Sequence, residues 1–202
     1  MTKVLLASRN AKKLGELRRI LAAEGIEGIE VLGLDDVEDF PEAPETAPDF
    51  EGNAAAKARD AVAATGLPAI ADDSGLTVDA LNGMPGVLSA RWSGGHGNDE
   101  ANLQLVLAQL ADTPDERRGA AFVCAAVLAL PGGGETVVRG EWRGSLIRDK
   151  RGDNGFGYDP IFVPEGESRT SAELAPGEKD ALSHRGKALR GLVPALRALA
   201  AG

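Results

Sequence analysis

A chain of 202 residues is long enough to bury a sizeable core, and 43% hydrophobic with 26% charged residues is the balance of a globular protein. The net charge of −9 excludes the broad basic surface that nucleic-acid backbones require, and no segment approaches the roughly 18 consecutive apolar residues of a membrane span. The single cysteine, Cys124, excludes an internal disulfide and a Cys-based zinc site.

In chain order, residues 3–7 are short, apolar and bounded by polar residues, as a buried strand is. The run is too short for a signal peptide, so a cytoplasmic protein is expected. Ser8-Arg9-Asn10 is a turn. Leu14, Leu17, Ile20 and Leu21 recur at helical spacing over residues 11–23, and Gly25 stops that helix. Residues 29–34 are a second strand candidate. Residues 35–49, acidic and containing Pro41, Pro44 and Pro48, read as a loop. Asn53 can cap a helix over 54–64, which Thr65-Gly66 ends. Residues 67–71 form a short buried strand that runs into Asp72-Asp73-Ser74-Gly75.

Residues 77–81 can be a short helix or strand, and Gly83-Met84-Pro85-Gly86 is a turn. Residues 99–110 form an amphipathic helix with Leu103, Val106, Leu107 and Leu110 on one side. The apolar run 120–130, the turn Pro131-Gly132-Gly133-Gly134 and the partly alternating run 135–142 form a hairpin, which 144–148 can extend. Residues 152–160 are a glycine-rich loop ahead of Ile161-Phe162-Val163. A last helix spans about 183–200, with Pro194 expected to kink or interrupt it. Helices alternating with strands, followed by a hairpin, indicate an α/β protein with a mixed sheet, organised as one domain over residues 1–202.

Five segments carry chemistry. In Ser8-Arg9-Asn10-Ala11-Lys12-Lys13 a strand feeds a helix, so free backbone N–H groups and the positive dipole end share one space. Two lysines in a first helical turn each cost ~0.3–1 kcal/mol against the dipole unless an anion is bound. A polyphosphate fits; two solvated lysines are the alternative. No G-x-x-x-x-G-K-[ST] occurs, so this is not a P-loop. The adjacent carboxylates of Asp72 and Asp73 repel one another, and a bound cation relieves that repulsion. Mg²⁺ suits one or two carboxylates plus substrate phosphates. In a strand the two side chains point to opposite faces, so one can be a ligand and the other structural. Asp73 is expected to carry the chemistry; a capping Asp-Ser-Gly turn is the alternative. One of Glu42, Glu45, Asp49 and Glu51 can complete the metal site, or the loop is simply solvated.

The fourth segment, around Gly155-Phe156-Gly157-Tyr158-Asp159-Pro160, places two of the chain's few aromatic residues in one loop. Phe156 or Tyr158 can stack on a base, worth roughly 1–3 kcal/mol, or the pair can pin the loop to the core. The fifth combines Lys179 with Ser183-His184-Arg185-Gly186, where Arg185 can donate to base carbonyls and Lys179 can meet phosphate or base; a capped helix start is the alternative. There is no G-x-S-x-G elbow, Cys124 lies in an apolar run, and His96 and His184 form no metal-binding pattern.

Taken together, these segments resemble the inosine triphosphate pyrophosphatase family, which acts on non-canonical purine nucleoside triphosphates. The matching pieces are Ser8 to Lys13 with Glu16, Pro68 to Leu76, Met84-Pro85-Gly86-Val87 with Ser89-Ala90-Arg91, Gly155 to Pro160, and Glu178-Lys179 with Ser183 to Gly186. The resemblance implies a curved mixed β-sheet flanked by helices, two lobes with an active-site cleft between them, and a homodimer. It implies hydrolysis of ITP, dITP and XTP to the monophosphate and pyrophosphate, with Mg²⁺. It assigns Ser8, Arg9, Asn10, Ala11, Lys12 and Lys13 to the triphosphate. Asp73 becomes general base and metal ligand with Ser74 beside it, and Glu45 a second metal ligand. Phe156, Gly157, Tyr158 and Asp159 enclose the base, which Lys179, His184 and Arg185 read. The chain departs from the family pattern at Arg9, Ala47, Asp49 and Gly52, where the family has Gly, Gly, Thr and Glu. Two rival readings are a pyrophosphatase for other modified nucleotides, such as altered pyrimidines, and a nucleotide sensor without catalysis.

Overall fold

In the computed structural model, which describes residues 1–42 and 44–201, six strands form one sheet in the order β2-β1-β3-β4-β5-β6. The strands are β1 (Thr2–Leu6), β2 (Ile29–Leu32), β3 (Ala69–Val78), β4 (Gly119–Ala129), β5 (Glu135–Leu146) and β6 (Phe162–Pro164). The helices are α1 (Ala11–Ala23), α2 (Phe50–Thr65), α3 (Asp99–Gln109), α4 (Pro176–Leu182) and α5 (His184–Ala201). β1 pairs in parallel with β2 and with β3, whereas β5 and β6 are antiparallel, so the expected mixed α/β sheet is present. Parallel neighbours need long crossovers, and α1 and α2 supply them.

Strand alternation sorts the helices onto the sheet. Val4, Leu6 and Ile70 point to one face, where they meet Leu17, Ile20 and Leu21 of α1 and Leu189, Leu192 and Leu196 of α5. Leu5 and Ala69 point to the other, where Ala61 of α2 packs on them. Alanines at 54, 58 and 61, all buried, let α2 lie close to the sheet. Residues 4–6 of β1 and 69–71 of β3 are buried on both faces and therefore read as continuous apolar runs, whereas β5 alternates exposed and buried positions.

The chain divides into two compact units. The first contains Met1–Asp73, Cys124–Gly140 and the segment from Arg185 onward; the second contains Ser74–Val123 and Glu141–His184. β3, β4 and β5 each contribute residues to both. The second unit has its own core, with Leu76, Val78, Leu103, Val106, Trp142, Tyr158, Ile161 and Phe162 at its centre. Among the described residues no helix is long and apolar enough to cross a membrane.

Four sequence expectations are corrected. The strand carrying Asp72 and Asp73 does not end there but continues to Val78, so both carboxylates lie in a strand interior. α2 begins at Phe50 rather than after Asn53, because the Asp49 carboxylate caps it by accepting from the Gly52 N–H at 2.7 Å. α4 was not expected; Pro176 opens it, and the Glu178 carboxylate accepts from the Ala175 N–H at 2.9 Å. α5 runs through Pro194 without interruption.

Arg118 is fully buried in the second unit, and backbone carbonyls hold its charge. Its Nε donates to Leu146 O at 2.8 Å and its Nη1 to Leu110 O at 2.7 Å, which ties the end of α3 to β5. Arg118→Met keeps much of the volume but removes two charge-assisted hydrogen bonds to buried carbonyls, of which Leu110 O keeps the Thr113 N–H, so a loss of about 2–4 kcal/mol is expected. Thermal unfolding checks this: a fall in Tm of at least ~4 °C is expected for a chain of this length.

Candidate active site

The first unit gathers the charged residues. Asn10 caps α1, its side chain accepting from the Lys12 N–H at 3.0 Å, and the Ser8 hydroxyl accepts from the Asn10 N–H at 3.2 Å. The turn therefore presents the α1 N-terminus with no acidic residue in its first turn. Lys12 and Arg9 are exposed, and Arg9 lies 3.6 Å from Glu42. Lys13 folds inward, and its ammonium donates to Asp72 Oδ2 at 2.8 Å.

The strand pleat separates the two aspartates as expected. Asp72 shares the face of Ile70 and so meets α1 and α5: besides Lys13, Arg185 reaches its Oδ2 through Nε at 3.3 Å. Burial opposes ionisation of Asp72, but the Lys13 and Arg185 charges outweigh it and hold the carboxyl well below the usual carboxylate range. Arg185 is itself almost fully buried, with Glu16 3.9 Å from its Nη1. Burial lowers its guanidinium pKa, and the Asp72, Cys124 and Glu16 charges more than restore it.

Asp73 shares the face of Ala69 and so meets α2. Asn53 Nδ2 donates to Asp73 Oδ2 at 3.0 Å, and the Lys57 ammonium lies 3.6 Å from Asp73 Oδ1. The same ammonium is ion-paired with Glu45. Burial raises the Asp73 pKa; Lys57 and the Asn53 hydrogen bond offset this only in part, and the group stays above its ordinary value. Burial also penalises the Lys57 charge, yet Asp73 and Glu45 raise its pKa overall.

The four acidic loop residues now have distinct partners. Asp49 caps α2, Glu51 pairs with Arg139 at 3.0 Å, Glu42 lies by Arg9, and Glu45 alone of the four shares a cation with Asp73. The departures from the family pattern at 47 and 52 also fit one another. A Cβ at Gly52 would lie 2.7 Å from the Ala47 Cβ, so a side chain at 47 requires glycine at 52. Asn53 Oδ1 accepts from the Ala47 N–H at 2.9 Å and pins the loop two residues beyond Glu45.

The second unit holds Ser74, the aromatic loop, Lys179 and His184. Asp159 organises that loop. Its Oδ2 accepts from the Phe156 N–H at 2.9 Å and is ion-paired with Lys179, while Oδ1 accepts from the Ser171 hydroxyl at 2.7 Å. Gly155 has φ +80°, and any Cβ there would collide with the Asp159 carboxylate. Phe156 is 51% exposed, with the Lys179 ammonium 5.4 Å from its ring centroid. Gly157 N–H donates to Asp99 Oδ2 at 3.0 Å. His184 is buried and stacked on Phe122, with ring centroids 5.0 Å apart and planes 15° from parallel. Ser74, the next residue of β3 after Asp73, is partly buried.

Of the two roles open to these aromatics, Tyr158 takes the packing one. It is buried in the second core, and its hydroxyl donates to the Ser89 carbonyl at 2.7 Å, so it pins the loop and leaves Phe156 as the ring open to a ligand. Burial, with the Asp99 charge adding to it, pushes its phenol pKa far up.

The α1 N-terminus and the carboxylate pair lie in the first unit and the exposed Phe156 ring in the second, and comparison with known proteins shows the family. The model of the Ham1 family matches residues 4–195. The chain belongs to this family. It is similar to a dITP/XTP pyrophosphatase of Nocardia farcinica, 67% identical over 200 residues that cover 99% of this chain and 97% of that protein. A dITP/XTP pyrophosphatase of Mycobacterium tuberculosis is 64% identical over 202 residues, covering 100% of this chain and 98% of that protein. Among solved structures, a nucleoside-triphosphatase / dITP/XTP pyrophosphatase from Mycobacterium abscessus superposes with a TM-score of 0.81 at 62% identity, covering 97% of this chain and 100% of that one. A HAM1 protein from Coxiella burnetii superposes with a TM-score of 0.88 at 42% identity, covering 97% of this chain and 98% of that one.

Sequence reasoning missed Asn53 and Lys57 as site residues. Their spacing of four puts both on one face of α2, which was the available signal. The division of roles between Phe156 and Tyr158 is open to direct measurement. Tyr158→Phe leaves the buried Ser89 carbonyl without its donor and is expected to cost about 1–2 kcal/mol in chemical denaturation. Phe156→Ala removes an exposed ring and is expected to leave stability within ~0.5 kcal/mol.

Proposed function

We propose that this chain hydrolyses the purine nucleoside triphosphates ITP, dITP and XTP to the monophosphate and pyrophosphate, clearing them from the nucleotide pool. The observation that carries the reading is the Asp73 carboxylate, held by Asn53 and sharing one cation with Glu45. Two carboxylates that already hold a single ammonium between them have the charge and spacing to hold a divalent ion. Among the described residues there is no cluster of three or more His, Cys, Asp or Glu that could hold a metal alone. Mg²⁺ takes one or two carboxylates and completes its shell with water and substrate phosphates.

In this reading Ser8, Arg9, Asn10, Ala11, Lys12 and Lys13 hold the triphosphate through the α1 N-terminus and their side chains. Asp73 and Glu45 hold the metal, which when bound neutralises negative charge on the phosphates. Asp73 takes a proton from the water that attacks the α-phosphorus, the bond to the bridging oxygen breaks, and pyrophosphate leaves with that electron pair. Without the metal, burial holds the Asp73 carboxyl above its ordinary pKa. Asn53 fixes the carboxylate's direction. Ser74 lines the substrate next to Asp73. Phe156 stacks on the purine over a loop that Gly157, Tyr158 and Asp159 keep in shape, and Lys179, His184 and Arg185 read its edge. A donor paired with the 6-keto oxygen would be left unpaired by adenine, a penalty of roughly 1–3 kcal/mol. Residues 1–202 act as one functional domain, a cytoplasmic homodimer whose association state light scattering can check.

Pyrophosphate release from dITP, dATP and a modified pyrimidine triphosphate with Mg²⁺ tests the assignment. Release from dITP at least ~10-fold faster than from dATP is expected, that factor being about 1.4 kcal/mol of discrimination. Equal rates would overturn purine selectivity, faster pyrimidine turnover would favour the rival substrate class, and no release from any would favour a sensor. EDTA is expected to stop turnover and Mg²⁺ to restore it. Asp73→Asn is expected to lower kcat by at least ~10²-fold with dITP binding retained, as for loss of a general base; near-normal kcat would reject that role. Phe156→Ala is expected to raise KM for dITP roughly 10-fold, corresponding to one lost base–aromatic stack.

A further inference from the structure

Asp72 has no part in the proposed proton transfer or metal binding, yet it is the buried carboxylate on which two assigned substrate residues meet. The Lys13 ammonium and the Arg185 Nε both donate to the same oxygen, Oδ2, at 2.8 and 3.3 Å. They arrive from different helices, the first turn of α1 and the first turn of α5. Glu16 lies near Arg185 at 3.9 Å, and the Cys124 thiol lies 3.9 Å from Asp72 Oδ2. A buried ion triad is a weak way to stabilise a fold, since apolar side chains of similar volume usually do as well.

We infer that Asp72 is a positioning residue that couples the phosphate grip to purine selection by sharing one carboxylate oxygen between Lys13 and Arg185. The inference rests on the pyrophosphatase reading for the roles of the two cations. A phosphate oxygen competes with Asp72 for the Lys13 ammonium. As Lys13 turns toward phosphate, Oδ2 loses that ammonium and holds the Arg185 guanidinium more strongly. Arg185 is then fixed when a phosphate chain is bound and looser when it is not. Asp73, on the other face of the strand, does not take part in this exchange.

Asp72→Asn keeps the shape and removes the charge. In the full-length protein with Mg²⁺ it is expected to raise KM for dITP about 10-fold and to lower the ratio of kcat/KM for dITP over dATP about 10-fold, a typical size for coupling between two sites. The kcat for dITP is expected to change less than either. A folded variant with unchanged KM and discrimination, or a loss confined to kcat, overturns the inference. Should the variant not fold, the wild-type protein provides the second test. With ¹⁵N-arginine label, and the Arg185 Nε–H signal assigned by its absence in Arg185→Lys, inorganic pyrophosphate is added in place of a nucleotide. A shift of the Arg185 signal, produced by a ligand that has no base, supports the coupling; a signal that stays in place at saturation overturns it. Turnover of dITP by the wild type is measured alongside, and its absence would reject the pyrophosphatase reading without deciding the response of Arg185 to pyrophosphate.

Discussion

Two adjacent aspartates in the interior of a buried strand set the constraint that organises the first unit. Each loses hydration, and an uncompensated buried carboxylate costs several kcal/mol. The pleat sends Asp72 and Asp73 to opposite faces, so one helix layer cannot satisfy both. The α1 and α5 layer brings Lys13 and Arg185 to Asp72, and the α2 layer brings Asn53 and Lys57 to Asp73. The same alternation that packs Val4, Leu6 and Ile70 against one layer and Leu5 and Ala69 against the other therefore also divides the polar work. Asp72 is locked into its charged form by two cations. Asp73, buried and facing one cation and one amide with Glu45 close by, stays above its ordinary pKa.

Much of this was legible in the residues because it depends on local rules. The β1–α1 turn, the lysines in the first turn of α1, and the opposite faces of the aspartates follow from strand and helix geometry alone. What was misread depends on tertiary partners. Asp49 and Asn53 are both good cap residues, and the spacing to the apolar run does not choose between them. Asp49 wins because Asn53 is engaged by Asp73 and the Ala47 N–H, which places it inside the helix rather than at its mouth. Asp73-Ser74-Gly75 has the composition of a turn, yet β3 runs on through it beside β4, past the end of β1. For α4 the signals were present, Pro176 at the first turn and Glu178 reaching back to Ala175, and only its short length hid it.

The aromatic loop shows how one segment can serve packing and recognition together. Tyr158 and Phe156 are two residues apart and share a composition class, but one is anchored to Ser89 and the other is open. Asp159 connects them, since its carboxylate receives the Phe156 N–H, the Ser171 hydroxyl and the Lys179 ammonium at once. A loop held this way loses little conformational freedom when a base stacks on Phe156, and less of the stacking energy is spent on ordering it. The sequence supplied the glycines and aromatics, but only the fold shows that Asp159 and Lys179 support the loop.

Charge balance explains why such a site suits a metal-assisted phosphate reaction. Around the two aspartates, three cations (Lys13, Lys57 and Arg185) face four carboxylates (Glu16, Glu45, Asp72 and Asp73), a formal sum of −1. The cluster by itself therefore does not attract a triphosphate; its inner cations are already compensated, and Lys12 and Arg9 at the turn are the exposed ones. Holding both a polyphosphate and an ionised Asp73 needs positive charge from outside the chain. A divalent cation, if held by Asp73 and Glu45, would supply it where Lys57 now balances both carboxylates.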